Sequence, residues 1–197
     1  MYKKLVSTKF LISILVVSGL VLVTMLPLGT VQASTDVTGI ITSNTTWTKA
    51  NSPYTLTGPV AVNKSVTLTI EPGVTVNLGA YYLQVNGTLY ARGSSTDSII
   101  FSSQASSDLF QIVFTHLSSS WNEQTGSGSI IENAIINASI SITGVSPKIN
   151  NNFIRDITAS MMDSNIGIAI NGGSPIISNN YICLLYTSPS PRDRQKS

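Results

Sequence analysis

Acidic side chains are the groups in this 197-residue chain best suited to acid–base chemistry or cation binding, and their spacing argues against a compact catalytic centre. Between Ser34 and Ile182 they are Asp36, Glu71, Asp97, Asp108, Glu123, Glu132, Asp156 and Asp163. Proton abstraction beside a bound Ca²⁺ needs several carboxylates and a base converging on one point. Glycosidic hydrolysis needs a carboxylate pair at a fixed separation. The acids here are spread almost singly. The densest group is Arg155-Asp156 with Asp163, on a stretch whose projecting charges are better placed for binding than for catalysis. Glu71 stands in Glu71-Pro72-Gly73, which has the composition of a turn. His116 is the only histidine, and one imidazole without thiols or nearby acids cannot hold a transition metal. No cofactor and no metal are therefore expected, and no residue is given a catalytic role. Tyr81, Tyr82 and Trp121 are the aromatic candidates for stacking on sugar rings, with packing at a turn as the competing reading.

The elements that must carry these residues are short strands. Val66-Thr67-Leu68-Thr69-Ile70, Val74-Thr75-Val76-Asn77-Leu78 and Ser139-Ile140-Ser141-Ile142 alternate apolar with small polar residues, the period-two pattern of a half-buried strand. Turn residues punctuate the runs at Asn86-Gly87, Arg92-Gly93 and Gly172-Gly173. A phrase Ile-x-Asn-x-x-Ile recurs from Ile131, Ile149 and Ile177, in steps of 18 and 28 residues. Self-similarity at such a period indicates a solenoid rather than a sandwich. At about 22 residues per coil, the chain holds roughly six coils. Ile131, Ile149 and Ile177 are expected to form one internal stack, and Ile136, Ile154 and Ile182 another. Asn133, Asn151 and Asn179 are expected to form a ladder at a corner, since asparagine tolerates the left-handed conformation and stacked amides bond to one another. The longer step carries an insert from Arg155 to Asn165, which should project from its coil.

Both ends read differently from this grammar. Lys3, Lys4 and Lys9, then an apolar run from Leu11 to Leu26, then Val31-Gln32-Ala33, have the form of an export signal over residues 1–33. Cleavage after Ala33 is favoured, with an uncleaved membrane anchor as the alternative. From Cys183, the residues Cys-Leu-Leu-Tyr-Thr-Ser-Pro-Ser-Pro-Arg-Asp match the translation of a transposase adapter used in sequencing libraries. Residues 183–197 are accordingly read as an artefactual tail, with the natural chain cut near Ile182. Residues 34–182 hold five Lys or Arg against eight Asp or Glu, a formal charge of −3, whereas the whole chain is +2. Nothing basic is left to attract nucleic acid, or anionic lipid outside the signal segment. The single cysteine, Cys183, falls in the tail, so disulfides are not expected to hold the fold. Asn44, Asn63, Asn86 and Asn137 each open an Asn-x-Ser/Thr sequon, a weak signal in so Asn/Ser/Thr-rich a chain.

A family resemblance adds to this reading. Thr46-Trp47-Thr48, Val66-Thr67-Leu68-Thr69-Ile70-Glu71-Pro72-Gly73-Val74, Val85-Asn86-Gly87-Thr88-Leu89-Tyr90-Ala91-Arg92-Gly93 and Ile99-Ile100-Phe101-Ser102-Ser103 resemble the opening of secreted right-handed parallel β-helix proteins. Those proteins have the pectin-lyase-like fold and often contain repeats of the periplasmic copper-binding (nitrous oxide reductase maturation) type. The resemblance covers most of residues 38–182. Lys64-Ser65 departs from it, because such openings usually carry a glycine there. It implies an all-β fold, a right-handed parallel β-helix incomplete at the C-terminus. Residues 34–58 would form an N-terminal cap, with Trp47 and Tyr54 over the first coil, and residues 59–182 the coils. The expected role is an exported, secreted or cell-surface scaffold that binds a polysaccharide or a surface glycoprotein through Tyr81, Tyr82, Trp121, Arg155, Asp156 and Asp163. The alternative is a polysaccharide lyase or glycoside hydrolase whose catalytic residues lie in further C-terminal coils. The copper-related repeat name does not supply a copper site to a chain with one histidine.

Overall fold

The structure, a computed structural model, describes residues 33–103, 110–155 and 167–183, all within one compact unit. The export segment, Asp108, Asp156 and Asp163, and the tail beyond Cys183 lie outside the described residues. Alternating sequence gives short strands because one face of each must be buried and three or four residues complete a side. In chain order they are Thr35–Ile41 (β1), Thr45–Trp47 (β2), Tyr54–Val62 (β3), Thr67–Ile70 (β4), Thr75–Asn77 (β5) and Leu83–Val85 (β6). Then come Thr88–Arg92 (β7), Ile99–Ser102 (β8), Ile112–Phe114 (β9), Ile130–Glu132 (β10), Ala134–Asn137 (β11) and Ile140–Thr143 (β12). Lys148–Asn150 (β13), Phe153–Arg155 (β14), Ile168–Asn171 (β15), Ile176–Ser178 (β16) and Tyr181–Cys183 (β17) complete the series.

Every strand pairing among them is parallel, in two curled sheets. The larger runs β15-β12-β9-β6-β3-β5-β8-β11-β14-β17 with β1 beside β3, and the smaller runs β16-β13-β10-β7-β4-β2. From β4 onward each strand pairs with the one three places later. The long strand β3 belongs to two ladders, pairing through Tyr54–Thr55 with β5 and through Val60–Val62 with β6. Parallel strands joined without helices, repeating every third strand, are compatible with a parallel β solenoid.

The register sets the core. Trp47, Ile70, Ala91, Ile131, Ile149 and Ile177 are successive partners in the smaller sheet. Tyr54, Val76, Phe101, Ile136, Ile154 and Ile182 follow one another in the larger. A third column runs Val62, Val85, Phe114, Ile142 and Ile170. Most of these side chains are completely buried; Ile170, Ile177 and Ile182, all in the last described coil, are exposed. Trp47 and Tyr54 lie inside the first coil, their rings stacked 4.9 Å apart, and β1 extends the sheet beyond them. Residues between strands vary freely, since Ala91 and Ile131 are direct partners although 40 residues apart. Corners are less forgiving. Gly87 sits where a Cβ would overlap the carbonyl oxygens of Asn63 and Val66 in the turn below.

Ile149 is enclosed between Ile131 and Ile177. We expect Ile149→Ala to destabilise the fold by about 3 kcal/mol, read as a lower urea midpoint. A loss below about 1 kcal/mol, the scale of a surface substitution, would show that the column is not close-packed.

Candidate functional site

The corner between the smaller sheet and the next ladder is built from the asparagines. One or two residues must reverse the chain between β10 and β11, β13 and β14, and β16 and β17. Asn133, Asn151 and Asn179 do so at φ values of 52°, 54° and 56°, the left-handed region asparagine tolerates. Their amides bond along the stack. Asn151 Nδ2 donates to Asn133 Oδ1, Asn133 Nδ2 to the Gly93 carbonyl at 3.1 Å, and Asn179 Nδ2 to Asn150 Oδ1 at 3.0 Å.

A second, inner asparagine column lies beside it. The Asn152 side chain is buried; its oxygen accepts from the Ala134 N–H at 2.9 Å and its Nδ2 donates to the Ile131 carbonyl at 2.9 Å. Asn180 repeats the arrangement one coil later, accepting from the Asn152 N–H at 3.0 Å and donating to the Ile149 carbonyl at 2.7 Å. Each inner asparagine thus satisfies the backbone of the corner in the preceding coil. Unpartnered, those buried groups would cost the full desolvation of an amide.

The outer face of this corner is a shallow groove of about 300 Å³. Asn133, Asn151 and Asn179 line it together with Ser94, Ser95 and Ser98 of the β7–β8 connection. Its apolar part is formed by Ile135, Phe153 and Tyr181, which are register partners on the outward face. The Phe153 and Tyr181 rings are parallel within 1° and 4.8 Å apart, and 37% and 60% exposed. The Arg155 guanidinium lies 5.5 Å from the Phe153 ring centre.

Charged groups near this corner are bound to one another. Arg92 Nε donates to Glu132 at 2.7 Å, Asn150 Nδ2 to the other Glu132 oxygen at 2.7 Å, and Ser178 Oγ to Asn150 Oδ1 at 2.8 Å. Burial opposes ionisation of Glu132, but the Asn150 amide and the Arg92 guanidinium outweigh it and hold the carboxyl below its ordinary value. Asp97 pairs with Lys49 across an intervening coil. Glu123 pairs with Lys148 at 2.7 Å, and this contact lowers the Glu123 carboxyl.

The residues singled out in the sequence do not assemble. Exposed Tyr81 and half-buried Tyr82 occupy the β5–β6 connection, and half-buried Trp121 the β9–β10 connection, with the Lys148 ammonium 5.6 Å from its ring centre. His116 is exposed on that same β9–β10 connection. Of that set, Arg155 alone borders the groove, through Phe153, while Asp156 and Asp163 lie outside the described residues. Phe153, Tyr181, Asn152 and Asn180 were not anticipated. The available signal was the fifth position of the repeat, which reads Ile135, Phe153, Tyr181 where an outward residue should be polar. The sequons also differ: Asn44 and Asn63 are exposed, whereas the Asn86 oxygen accepts from Thr115 Oγ1 at 2.9 Å. Compared with known proteins, the chain matches no family model, no curated protein and no solved structure.

Two outcomes follow from this corner. Asn152→Ala strands the Ala134 N–H and the Ile131 carbonyl and should cost about 2 kcal/mol. Asn151→Gly keeps the positive φ and should cost less than about 1 kcal/mol; equal losses in urea titrations would count against the inner column. Because the folded-state value of Glu132 is depressed, its contribution is complete above the ordinary carboxyl value and is lost as pH falls through the depressed one. Glu132→Gln should therefore be less stable than wild type at pH 7, with the gap closing below about pH 4. A gap of constant size across that range would contradict the assignment.

Proposed function

We propose that this chain is an exported β-helix module, of the right-handed, pectin-lyase-like kind its opening residues resemble, that binds glycan at the asparagine corner. The observation that carries the reading is the groove itself. Amides, hydroxyls and an exposed aromatic pair face one side of a rigid stack. Sugars offer hydroxyl groups to amides and apolar C–H surface to the exposed edges of the stacked rings, so this mixture of lining groups suits them. A binding role is favoured over catalysis by the use made of the carboxylates: Asp97, Glu123 and Glu132 are each held by a base from a different coil. Binding on a scaffold fixed by strand register needs little ordering on contact, which favours affinity. A cell-surface or secreted location follows from the basic, apolar and small-residue order of residues 1–33.

Affinity electrophoresis through gels containing soluble polysaccharides tests the reading. Tyr181→Ala and Phe153→Ala are each expected to weaken retention about tenfold, with thermal melting used to verify that the variants are folded. Retention of folded variants equal to wild type, or no retention by any polysaccharide, would overturn it.

A further inference from the structure

We infer that the groove takes an uncharged polysaccharide laid along the direction in which the coils stack, an inference that rests on the glycan-binding reading above. The argument is one of hydrogen-bond inventory. An asparagine amide carries two N–H donors and an oxygen with two lone pairs. In the outer ladder Asn133, Asn151 and Asn179 each spend one N–H on a neighbour. Among the described residues the Asn151 oxygen accepts from no group, and the second N–H of each outer amide is likewise unused. The groove thus offers a spare N–H on each of three coils, with acceptor lone pairs beside them. A sugar hydroxyl donates and accepts, so it can use both. A carboxylate, sulfate or phosphate only accepts, so it leaves the amide oxygens unmatched, and its strongest hydrogen bonds are made to charged donors. No lysine, arginine or histidine lines the groove. Arg155 stands over the Phe153 ring at its border, Arg92 is paired with Glu132, and residues 34–182 carry an excess of acids.

Direction follows from the register. The three outer amides occupy equivalent positions on successive coils, spaced about 4.8 Å apart. Phe153 and Tyr181 stack along the same line. The first and last amides are therefore about 10 Å apart, longer than a single sugar ring. A chain running along the stack meets one amide and one outward apolar side chain per coil, whereas a chain lying across it meets only one coil.

The test uses affinity electrophoresis with a neutral β-glucan, a neutral mannan, a polyuronate and a sulfated polysaccharide, each at low salt and at about 1 M salt, where the screening length is about 3 Å. The expected result is retention by a neutral polymer, equal at both salts. Asn179→Asp keeps a residue that tolerates positive φ but replaces the amide donor by a carboxylate, and should weaken that retention about tenfold. Ser95→Asp on the opposite wall, at an exposed position, is the second variant and should weaken it as well. Retention only by the polyuronate or sulfated polymer, released at high salt, overturns the uncharged ligand while leaving glycan binding intact. Neutral retention unchanged in both variants places the ligand elsewhere and overturns the inference. No retention by any polymer overturns both readings together.

Discussion

Parallel pairing in register is the constraint from which the rest of this structure derives. Once two coils bond through two to four residue pairs per side, a side chain has no choice of neighbour along the stack: it meets the residue of like phase above and below. Inside, that condition rewards repeated aliphatics, and Ile131, Ile149 and Ile177 answer it. Substituting one member disturbs two interfaces. Outside, the same condition brings amides, carboxylates and aromatic rings into lines. The ion pairs and hydrogen bonds that cross between coils are consequences of that alignment rather than its cause, since exposed pairs of this type contribute little to stability.

The corners show how the constraint is met where the chain must bend. A sharp reversal needs a positive φ, and it leaves backbone groups that no strand partner can reach. The outer asparagines supply the first, and the inner ones satisfy the second. Division of labour between adjacent asparagines explains why the two residues occur together in the later copies. It also leaves the outer amides with N–H groups unused on the groove side.

Much of the fold was legible in the sequence because identical phases demand identical residues. Repeated isoleucines and asparagines at fixed offsets announce their own alignment. Ser65 gives a smaller example: the resemblance led one to expect glycine there, and the serine adopts φ 64°, the conformation a glycine would take without strain. The site was less legible. A three-residue strand shows its inward face only through the phase of the repeat, and it is that phase alone that marks Phe153 and Tyr181 as outward. Asn152 was hidden because the first copy has Ala134 in its place. Tyr81, Tyr82 and Trp121 drew attention through composition alone, and composition says nothing about which connections a stack brings side by side.

The inner asparagines have a directional consequence. Asn152 completes the backbone bonding of the corner before it, and Asn180 completes that of the Asn152 corner. The corner is therefore tied in one direction, each of these side chains reaching back to the coil before it.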